Sequence, residues 1–553
     1  LTRLRTELPE AQIMALSATI GNAEEIAEWL NASCIETDWR PVPLREGVYY
    51  DGMIYYDNGD RKKIPIIHES GVVNLSIDTL KNGGQALVFT STRQSAVRYA
   101  HRHEDSVPKF LTDDEKRILR EAAETLIKIS EDKITLDLAN LVKNGVAFHH
   151  AGLSYYARSI IEKLFRDRIL KIICATPTLA AGVNVPARRV IVAELHRFNV
   201  REGISEEIPI MEYKQLAGRA GRPKYDEYGE AIIIAPGKLH VKRLLDEYVN
   251  GNIEDISSKL DNESAMRSHI LSLFATDVVS DTQSMHKFLS KTFYAYTVGS
   301  QHVQLVANRI LRYLVSSGFL EENEGRFSAT ALGKRVAELY IDPSSAYTII
   351  SVLNKRESLT AFGYLYTIVL TDDMPKLSVN RRELRVIIEK AEPYLDELPV
   401  RLNYDIYDED DARLIAYELK TALMLNDWIN EVKEEDIVDM YNVGSGDIYS
   451  YTQTAHWICY AAYELMKLLN KMNHAKELNK LYKRLADGVK EELLELVKIP
   501  GIGRVKARVL YNYGFTSLEK LAQAKDSEIL KIPGIGPETL RAIRKFLEQK
   551  DLY

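Results

Sequence analysis

Short apolar runs that alternate with helix-like segments, from about residue 41 to residue 240, constrain the fold of this chain most strongly. Strands that are apolar on both faces are typical of parallel sheets covered by helices on both sides, because neither face meets water. The pattern therefore predicts an α/β domain built on a parallel sheet. Its strands are predicted at Ala86–Phe89, Val146–Phe148, Ile172–Ala175, Val190–Ala193 and Ala231–Ala235.

Two arginines, each preceded by glycine, lie three residues apart in the run QLAGRAGR at 215–222. This spacing fits one turn of a helix, with Arg219 and Arg222 reaching the same side. Arginine suits a polyphosphate, because its planar fork makes bidentate hydrogen bonds and keeps its charge. A surface helix with two solvated arginines is the alternative if the run is taken alone.

This run resembles motif VI of superfamily 2 helicases, and other stretches match further motifs in family order. Residues 174–186 (CATPTLAAGVNVP) resemble motif V, 88–93 (VFTSTR) motif IV, 149–153 (HHAGL) motif IVa of the Ski-type branch, and 17–19 (SAT) motif III. Together with its C-terminal half, the whole chain resembles the archaeal Hjm-type DNA helicases, relatives of the polymerase-theta helicase domain. The resemblance implies that the α/β domain is the second of two RecA-like motor domains.

The resemblance also implies which residues meet the nucleotide. Arg219 and Arg222 are expected at the β and γ phosphates of ATP, with Arg222 preferred as the arginine finger that neutralises charge on the transferred phosphoryl group. Gln215 of the same motif is expected to be a catalytic residue with them. Gly182 and Asn184 are expected near the nucleotide.

Residues at the carboxyl ends of the strands are expected to contact one DNA strand, because active residues in such sheets lie there. Their hydroxyls, imidazoles and backbone amides would hold phosphates without reading sequence. These residues are Thr90, Ser91, His149, His150 and Thr176. Motif III, comprising Ser17, Ala18 and Thr19, is expected to couple the nucleotide and nucleic-acid sites. No metal site is predicted, since no partner cluster accompanies the histidines.

The sequence contains neither a Gly-rich phosphate loop ending in Lys-Ser/Thr nor an Asp-Glu pair for magnesium. In the resembling family both precede motif III, and this chain begins shortly before motif III. We therefore expect the C-terminal portion of a longer helicase, in which ATP and Mg²⁺ bind only together with an absent N-terminal motor domain. The chain alone is not expected to hydrolyse ATP, and a non-catalytic DNA-binding fragment is the alternative.

Two partly alternating flanks around Glu202-Gly203 predict a β-hairpin at about 195–211. The resemblance implies that this hairpin pries the duplex apart, with Phe198 or Val200 against the last base pair. An ordinary strand connection is the alternative. A charged segment at 112–144 predicts a helical pair inserted in the same domain.

The predicted fold class is an α/β RecA-like motor domain followed by mainly α domains. Residues 1–40 are assigned to the end of the first RecA-like domain, with a strand at Gln12–Leu16 and a helix at Asn22–Leu30 that has Ile26 and Leu30 inward. The other predicted domains are the second RecA-like domain at 41–240, a winged helix at 250–340 with a bracing role, a helical ratchet domain at 341–485 and a helix-hairpin-helix domain at 486–553.

One helix of the ratchet domain, predicted from about Asp447 as its N-cap to Leu469, carries an aromatic stripe. Such a stripe is usually core. The resemblance changes this interpretation, because the family lays a long helix across the translocating strand and stacks a tryptophan, here Trp457, on a base. Relatives often carry arginine two turns earlier, where this chain has Ser450, so a charged contact is in doubt. The stripe consists of Tyr449, Gln453, Trp457 and Tyr460.

The segment KIPGIG at 498–503 recurs at 531–536, which predicts two helix-hairpin-helix motifs. Their glycines allow a tight turn whose backbone amides point at a phosphate. The first copy, followed by Arg504, is expected to bind DNA more strongly, because Pro537 replaces a possible basic contact in the second. A hairpin pair that only packs the domain is the alternative. The predicted DNA contacts are Gly501, Gly503, Lys506, Arg508, Gly534 and Gly536, with Arg541 and Arg544 adding positive charge.

The formal net charge of −7 means that any DNA-binding surface must be a local basic groove. The three cysteines lie far apart, which argues against a zinc site or a disulfide framework. No apolar run approaches the roughly 18 residues of a membrane span, and no signal peptide is visible. A cytoplasmic, nucleoid-associated protein without membrane contact is therefore expected.

The predicted function is that of an ATP-dependent 3′–5′ helicase acting on forked or single-stranded DNA in repair or in the restart of replication. Its expected partners are that DNA, the absent N-terminal RecA-like domain and replication or repair factors. A Ski-type RNA helicase is the alternative, against which the paired helix-hairpin-helix argues.

Overall fold

A computed structural model describes residues 1–17, 20–37, 39–129, 133–179, 185–199, 204–399 and 409–550. The chain divides into two compact units. The α/β unit comprises Glu7–Ser257 and Gly444–Asp447, and the helical unit comprises Leu1–Thr6, Ser258–Val443 and Ile448–Tyr553.

The α/β unit is built on a sheet whose strands, within the described residues, follow the order β3-β2-β1-β10-β7-β4-β6-β5. Strands β1, β10, β7, β4, β6 and β5 run parallel, whereas β2 and β3 pair antiparallel at one edge. Every residue of β4, β5, β6 and β7 is buried, which confirms the predicted parallel sheet. The strands are β1 Leu44–Tyr50, β2 Met53–Tyr56, β3 Arg61–Lys63, β4 Ala86–Phe89, β5 Val146–His149, β6 Ile172–Ala175, β7 Arg189–Val192 and β10 Gly229–Ile234, with a separate pair, β8 His196–Asn199 and β9 Ile204–Glu207.

Helices surround this sheet and connect its strands. The predicted insertion is confirmed as two helices, Asp113–Ile129 and Lys133–Lys143, which bury leucines between them. The helices of this unit are Ala23–Leu30, Gly71–Lys81, Arg93–His103, Asp113–Ile129, Lys133–Lys143, Tyr155–Arg166, Ile210–Ala217 and His240–Leu244.

The N-terminal segment differs from its prediction. In the described part of the chain no strand forms at 12–16, and Met14 and Leu16 are 80% and 86% exposed. An apolar run needs a neighbouring strand to bury its side chains and satisfy its backbone, and none pairs with it. The helix that follows is confirmed as Ala23–Leu30, although Ile26 and Leu30 are half-buried and not in a core.

The helical unit begins with helices followed by a small antiparallel strand pair, β11 Leu320–Asn323 and β12 Arg326–Ala329, and the helix Ala331–Leu339. This arrangement agrees with the predicted winged helix. The helices before the strand pair are Glu263–Ala275, Thr282–Leu289, Phe293–Val298 and Ser300–Ser316.

A helical bundle and a C-terminal group of short helices complete this unit. The bundle helices are Pro343–Leu353, Ala361–Val369, Arg381–Ala391, Glu409–Ile429, Glu434–Tyr441, Ser445–Leu468 and Met472–Asp487. The C-terminal helices, which share a core of their own, are Arg504–Asn512, Leu518–Gln523, Asp526–Ile529 and Pro537–Lys550. None of the helices in the described residues has the length and apolar character needed to cross a membrane. The exact domain boundaries stay predictions.

The long helix Ser445–Leu468 begins two residues before Asp447, so the prediction of Asp447 as the N-cap is wrong. Its carboxylate Oδ2 accepts a hydrogen bond from the backbone N–H of Gly444, at 2.9 Å. An acidic residue in the first helical turn can accept a hydrogen bond from the backbone N–H of the residue that precedes the helix, as the third helical residue does in a capping box.

Candidate functional site

A cleft of 430 Å³ lies where β4 and β6 end. Thr90 and Ser91 follow β4 directly, Thr176 follows β6, and all three line the cleft. The two strands are parallel neighbours, so their carboxyl ends meet at one edge of the sheet. The structure therefore brings together three of the residues predicted to contact DNA. Thr90 is 1% exposed and Thr176 is 8% exposed, and the Thr90 hydroxyl donates to the carbonyl oxygen of Thr92 at 3.2 Å, so Ser91 offers the most accessible hydroxyl of the three.

An acidic side chain, Glu194, also lines this cleft. Ser91 donates to its Oε2 from the backbone N–H at 3.1 Å and from the hydroxyl at 2.6 Å, while Arg98 donates to its Oε1 at 2.9 Å. A phosphate that binds at Ser91 must therefore replace the Glu194 carboxylate as the acceptor. Sequence reasoning missed Glu194, although its position just beyond the buried strand β7 was a usable signal.

The two histidines of motif IVa lie inside the protein, not along the cleft. Both are 3% exposed, His149 Nε2 lies 3.1 Å from Glu162, and the ring of His150 stacks on Phe148. Burial, followed by the charge of Arg93, lowers the pKa of His150 to about 4, and burial also lowers that of His149. This burial argues against the predicted imidazole contacts with phosphate, which stay a prediction.

Residues 444–447, which belong to the α/β unit, lie against this same loop. Arg93 forms a bidentate ion pair with Asp447, in which Nη2 lies 2.7 Å from Oδ1. A Cβ on Gly444 would lie 2.4 Å from the carbonyl oxygen of Gly152, so only glycine fits there. The sequence did not reveal this pairing, because Arg93 and Asp447 are 354 residues apart.

Motif VI does not form the predicted helical turn. The helix Ile210–Ala217 ends before both arginines, and Gly221 has a φ of +94°, which a helix does not contain. Gln215 is exposed and Arg219 is half-buried. The two guanidinium groups are thus not presented from one helical turn.

The Arg222 guanidinium is held within the protein. Its side chain is 7% exposed, and Nε and Nη2 each donate to Asp226 at 2.8 Å, while Nη1 donates to Gln85 at 2.7 Å. Hydrogen bonds from Arg222 outweigh burial and lower the pKa of the Asp226 carboxyl. These contacts argue against Arg222 as the arginine finger, and its assignment to that role stays a prediction.

Several predicted residues lie outside the described residues: Gly182 and Asn184 near the nucleotide, Ala18 and Thr19 of motif III, and Val200 at the hairpin tip. Ser17 is described and exposed.

The hairpin between motifs V and VI is confirmed as the antiparallel pair β8 and β9, with the backbone of Phe198 opposite Ser205. Its base is braced by Glu207, which accepts hydrogen bonds from Arg243 at 3.0 and 2.8 Å and from the Tyr248 hydroxyl at 3.3 Å. These hydrogen bonds fix the base of the hairpin.

The aromatic stripe of the long helix lies on the surface and not in the core. Tyr449 is 68% exposed, Tyr460 is 37% exposed, and Gln453 between them is also exposed. Trp457 is half-buried, and its indole N–H donates to the carbonyl oxygen of Leu339 at 3.1 Å. This hydrogen bond fixes one edge of the indole ring.

The hairpin glycines of both helix-hairpin-helix motifs are open to an approaching phosphate. Gly501 and Gly534 have φ of +82° and +78°, which favours glycine. A Cβ added at Gly501, Gly503, Gly534 or Gly536 would meet nothing within 4 Å. Their predicted role is therefore sterically possible in both copies.

The basic residues of the first copy are largely used within the protein. Arg504 donates to the carbonyl oxygen of Val432 at 2.8 Å and stacks 4.6 Å from the Trp428 ring, and burial lowers its pKa. Arg508 donates to Glu431 at 2.6 and 2.7 Å. These contacts argue against Arg508 as a DNA contact and against the stronger role of the first copy, and both calls stay predictions.

The second copy carries more exposed basic residues than the first. Lys506 of the first copy reaches Thr539 at 3.2 Å, and Arg544 is held by Asp526 at 2.8 Å. Exposed basic residues beside the hairpins are Lys498, Lys531, Arg541 and Lys545.

Taken together, a RecA-like sheet that carries helicase motifs at its strand ends, a winged helix, a helical bundle and tandem helix-hairpin-helix motifs define a DNA helicase. Family models match along the chain: helicase conserved C-terminal domain at 70–224, helix-turn-helix domain at 229–321, archaeal helicase domain 4 at 362–488 and SAM-like helix-hairpin-helix tandem at 493–549.

Curated relatives named ATP-dependent DNA helicase Hel308 are 40% identical to this chain. The protein from Methanocella arvoryzae aligns over 100% of the chain and 74% of its own length, and that from Pyrococcus horikoshii over 98% and 74%. The protein from Caldivirga maquilingensis aligns over 96% and 72%. The chain belongs to the Hel308 family of ATP-dependent DNA helicases. This family does not support the RNA-helicase alternative.

Proposed function

We propose that the chain handles the DNA strand in a 3′–5′ helicase that acts on forked or single-stranded DNA in repair or replication restart. The observation that carries this proposal is the cleft at the ends of β4 and β6, where Thr90, Ser91 and Thr176 meet. Hydroxyl groups and backbone amides at such a strand edge suit phosphates and read no sequence. Replication or repair factors and a location in the cell interior, near the nucleoid, belong to the same proposal.

In this mechanism Ser91 changes its acceptor. Without DNA its hydroxyl donates to Glu194, and with DNA it would donate to a phosphate oxygen while Glu194 keeps Arg98. The strand would then stack a base on Trp457, whose edge is fixed by its bond to Leu339. The hairpin β8–β9 would part the duplex, with Phe198 near its tip.

For the nucleotide, Gln215, Arg219, Gly182 and Asn184 are the residues of this chain that would contact ATP. Mg²⁺-ATP supplies the phosphoryl group whose hydrolysis drives movement. Binding of ATP and of Mg²⁺ would also require residues of the first motor domain. Arg219 would stabilise charge on that group as the finger. The ion pair of Arg222 with Asp226 would hold the turn that presents Arg219.

The first test measures unwinding by the full-length helicase on forked DNA with either a 3′ or a 5′ single-stranded tail. Unwinding of the 3′-tailed fork is expected, and preference for the 5′ tail would refute the direction of movement. ATP hydrolysis is measured on this chain alone and with a separately made N-terminal motor domain, which is expected to restore DNA-stimulated hydrolysis.

A second test removes the hydroxyls of Ser91 and Thr176 with the double substitution Ser91→Ala and Thr176→Ala. Thr125→Ala, at an exposed helical position in the insertion, is the matched control. Weaker binding of single-stranded DNA by the cleft variant alone supports the proposed strand path. Equal binding by both variants contradicts it.

A further inference from the structure

One side of the long helix Ser445–Leu468 presents aromatic rings to solvent. Residues 449, 453, 457 and 460 follow one another at spacings of four, four and three, which places them along one side of a helix. The opposite side is buried through Ile448, Thr452, Ala455, Ile458 and Cys459. Within the stripe, Tyr449 and Gln453 are exposed, whereas Trp457 and Tyr460 also contact neighbouring residues.

The three rings of the stripe differ in how they are held. Tyr460 packs edge-on against Tyr482 with ring centroids 5.6 Å apart, and Trp457 is tied to Leu339. Tyr449, at 68% exposed, is the most exposed residue of the three. A phenol ring with its faces in water can stack on a base while its hydroxyl stays hydrated.

We propose that Tyr449 is a second base-stacking platform for single-stranded DNA, separate from Trp457 on the same helix. The inference rests on the proposed function, because it requires the strand to lie along this helix. The eight-residue spacing corresponds to about 12 Å at 1.5 Å per residue. Bases stacked at the 3.4 Å rise that each strand has in duplex DNA would cover this distance in about three or four nucleotides.

Two platforms at this spacing would hold the strand at two points along the helix. Stacking on an aromatic face tolerates any base, because every base has a π-face. The neighbours of Tyr449 in the chain are Ile448 and Ser450, which carry no charge. The Tyr449 contact should therefore add affinity without adding to the salt dependence that phosphate contacts produce.

The test measures binding of a fluorescein-labelled, mixed-sequence single strand of about 20 nucleotides, a length that exceeds one binding module. This chain itself is used, and fluorescence anisotropy gives the Kd. Tyr449→Ala should weaken binding by about five- to a hundredfold, the range found for loss of one stacked base. Tyr449→Phe should stay near wild type, because it keeps the ring.

Gln453→Ala is the matched control, since Gln453 is exposed on the same side one turn away and has no ring. It should bind nearly as the wild type does. For Tyr449→Ala, the slope of log Kd against log salt should match that of the wild type, and binding to blunt duplex DNA should not change. An equal loss on duplex DNA would overturn the stacking role.

Trp457→Ala, measured in parallel, separates the two levels of the argument. If Trp457→Ala weakens binding and Tyr449→Ala does not, the second platform is refuted and the proposed strand path stands. If neither weakens binding, the strand does not run along this helix and both proposals fail. Quenching of 2-aminopurine in the bound strand that is lost in Tyr449→Ala and kept in Tyr449→Phe would support the platform directly.

Discussion

Replacing Arg222 by alanine should destabilise the α/β unit by about 3–5 kcal/mol, the usual cost of removing one partner from a buried ion pair. The side chains of Arg222 and Asp226 are 7% and 4% exposed, so water cannot replace the lost contacts. After the substitution, the Asp226 carboxylate would keep the backbone N–H of residue 222 at 2.8 Å and Arg188 at 3.8 Å. The amide oxygen of Gln85 would lose its arginine donor.

Amide hydrogen exchange followed along β4 and β10 is the suitable assay, because the chain has two units and a single unfolding free energy is not defined. Arg222→Ala should speed exchange there, and the free energy of opening calculated from the exchange rates should fall by about 3–5 kcal/mol. Arg219→Ala should change exchange less than Arg222→Ala does, since Arg219 is more exposed than Arg222. In the full-length helicase, Arg219→Ala should slow ATP hydrolysis by about three to five orders of magnitude, the range for an arginine finger.

The pair replacement Arg222→Met with Asp226→Leu separates stability from catalysis. Apolar residues of similar volume often restore the stability that a broken buried pair loses. This variant should therefore exchange slowly again and keep most of its ATP hydrolysis. A stable double variant without hydrolysis would refute the assignment of Arg219 and return the finger to Arg222, and unchanged exchange in Arg222→Ala would refute the magnitude.

Three further predictions concern His103, the basic residues of the helix-hairpin-helix motifs and the Arg93–Asp447 ion pair. Burial lowers the pKa of His103 from 6.5 to about 4, so its contribution to stability should be intact above pH 6.5 and decrease by up to about 3 kcal/mol as the pH falls to 4. Urea denaturation at each pH, followed by a probe within the α/β unit, should show a weaker dependence of stability on pH in His103→Gln, and an unchanged dependence would contradict this. Arg541→Ala should weaken DNA binding and reduce the salt slope by about one. Arg508→Ala should lower stability by up to about 1 kcal/mol with less effect on affinity, and the reverse order would restore the first hairpin as the DNA contact. A double-mutant cycle on Arg93 and Asp447, read by hydrogen exchange at 149–153, should give a coupling of about 1 kcal/mol, and no coupling would exclude a working ion pair.

Local patterns were sufficient to predict much of the fold. The apolar runs of β4 and β6 predicted buried parallel strands. A continuous apolar run of a few residues is enough to indicate a strand that is buried on both faces. The flanks around 202–203 predicted the hairpin, and the repeated KIPGIG predicted two turns with open glycines. The strand predicted at 12–16 failed, because a strand exists only where a neighbour pairs with it.

What the sequence determined by itself was therefore the set of elements, the motifs at the strand ends and the family. Only the tertiary structure decided which charged groups remain available to a ligand. Arg508 is paired with Glu431, 77 residues away, and Arg93 with Asp447, 354 residues away, whereas Arg541 is exposed. An arginine makes the same bidentate contact with a carboxylate as with a phosphate, and folding alone determines which one lies beside it.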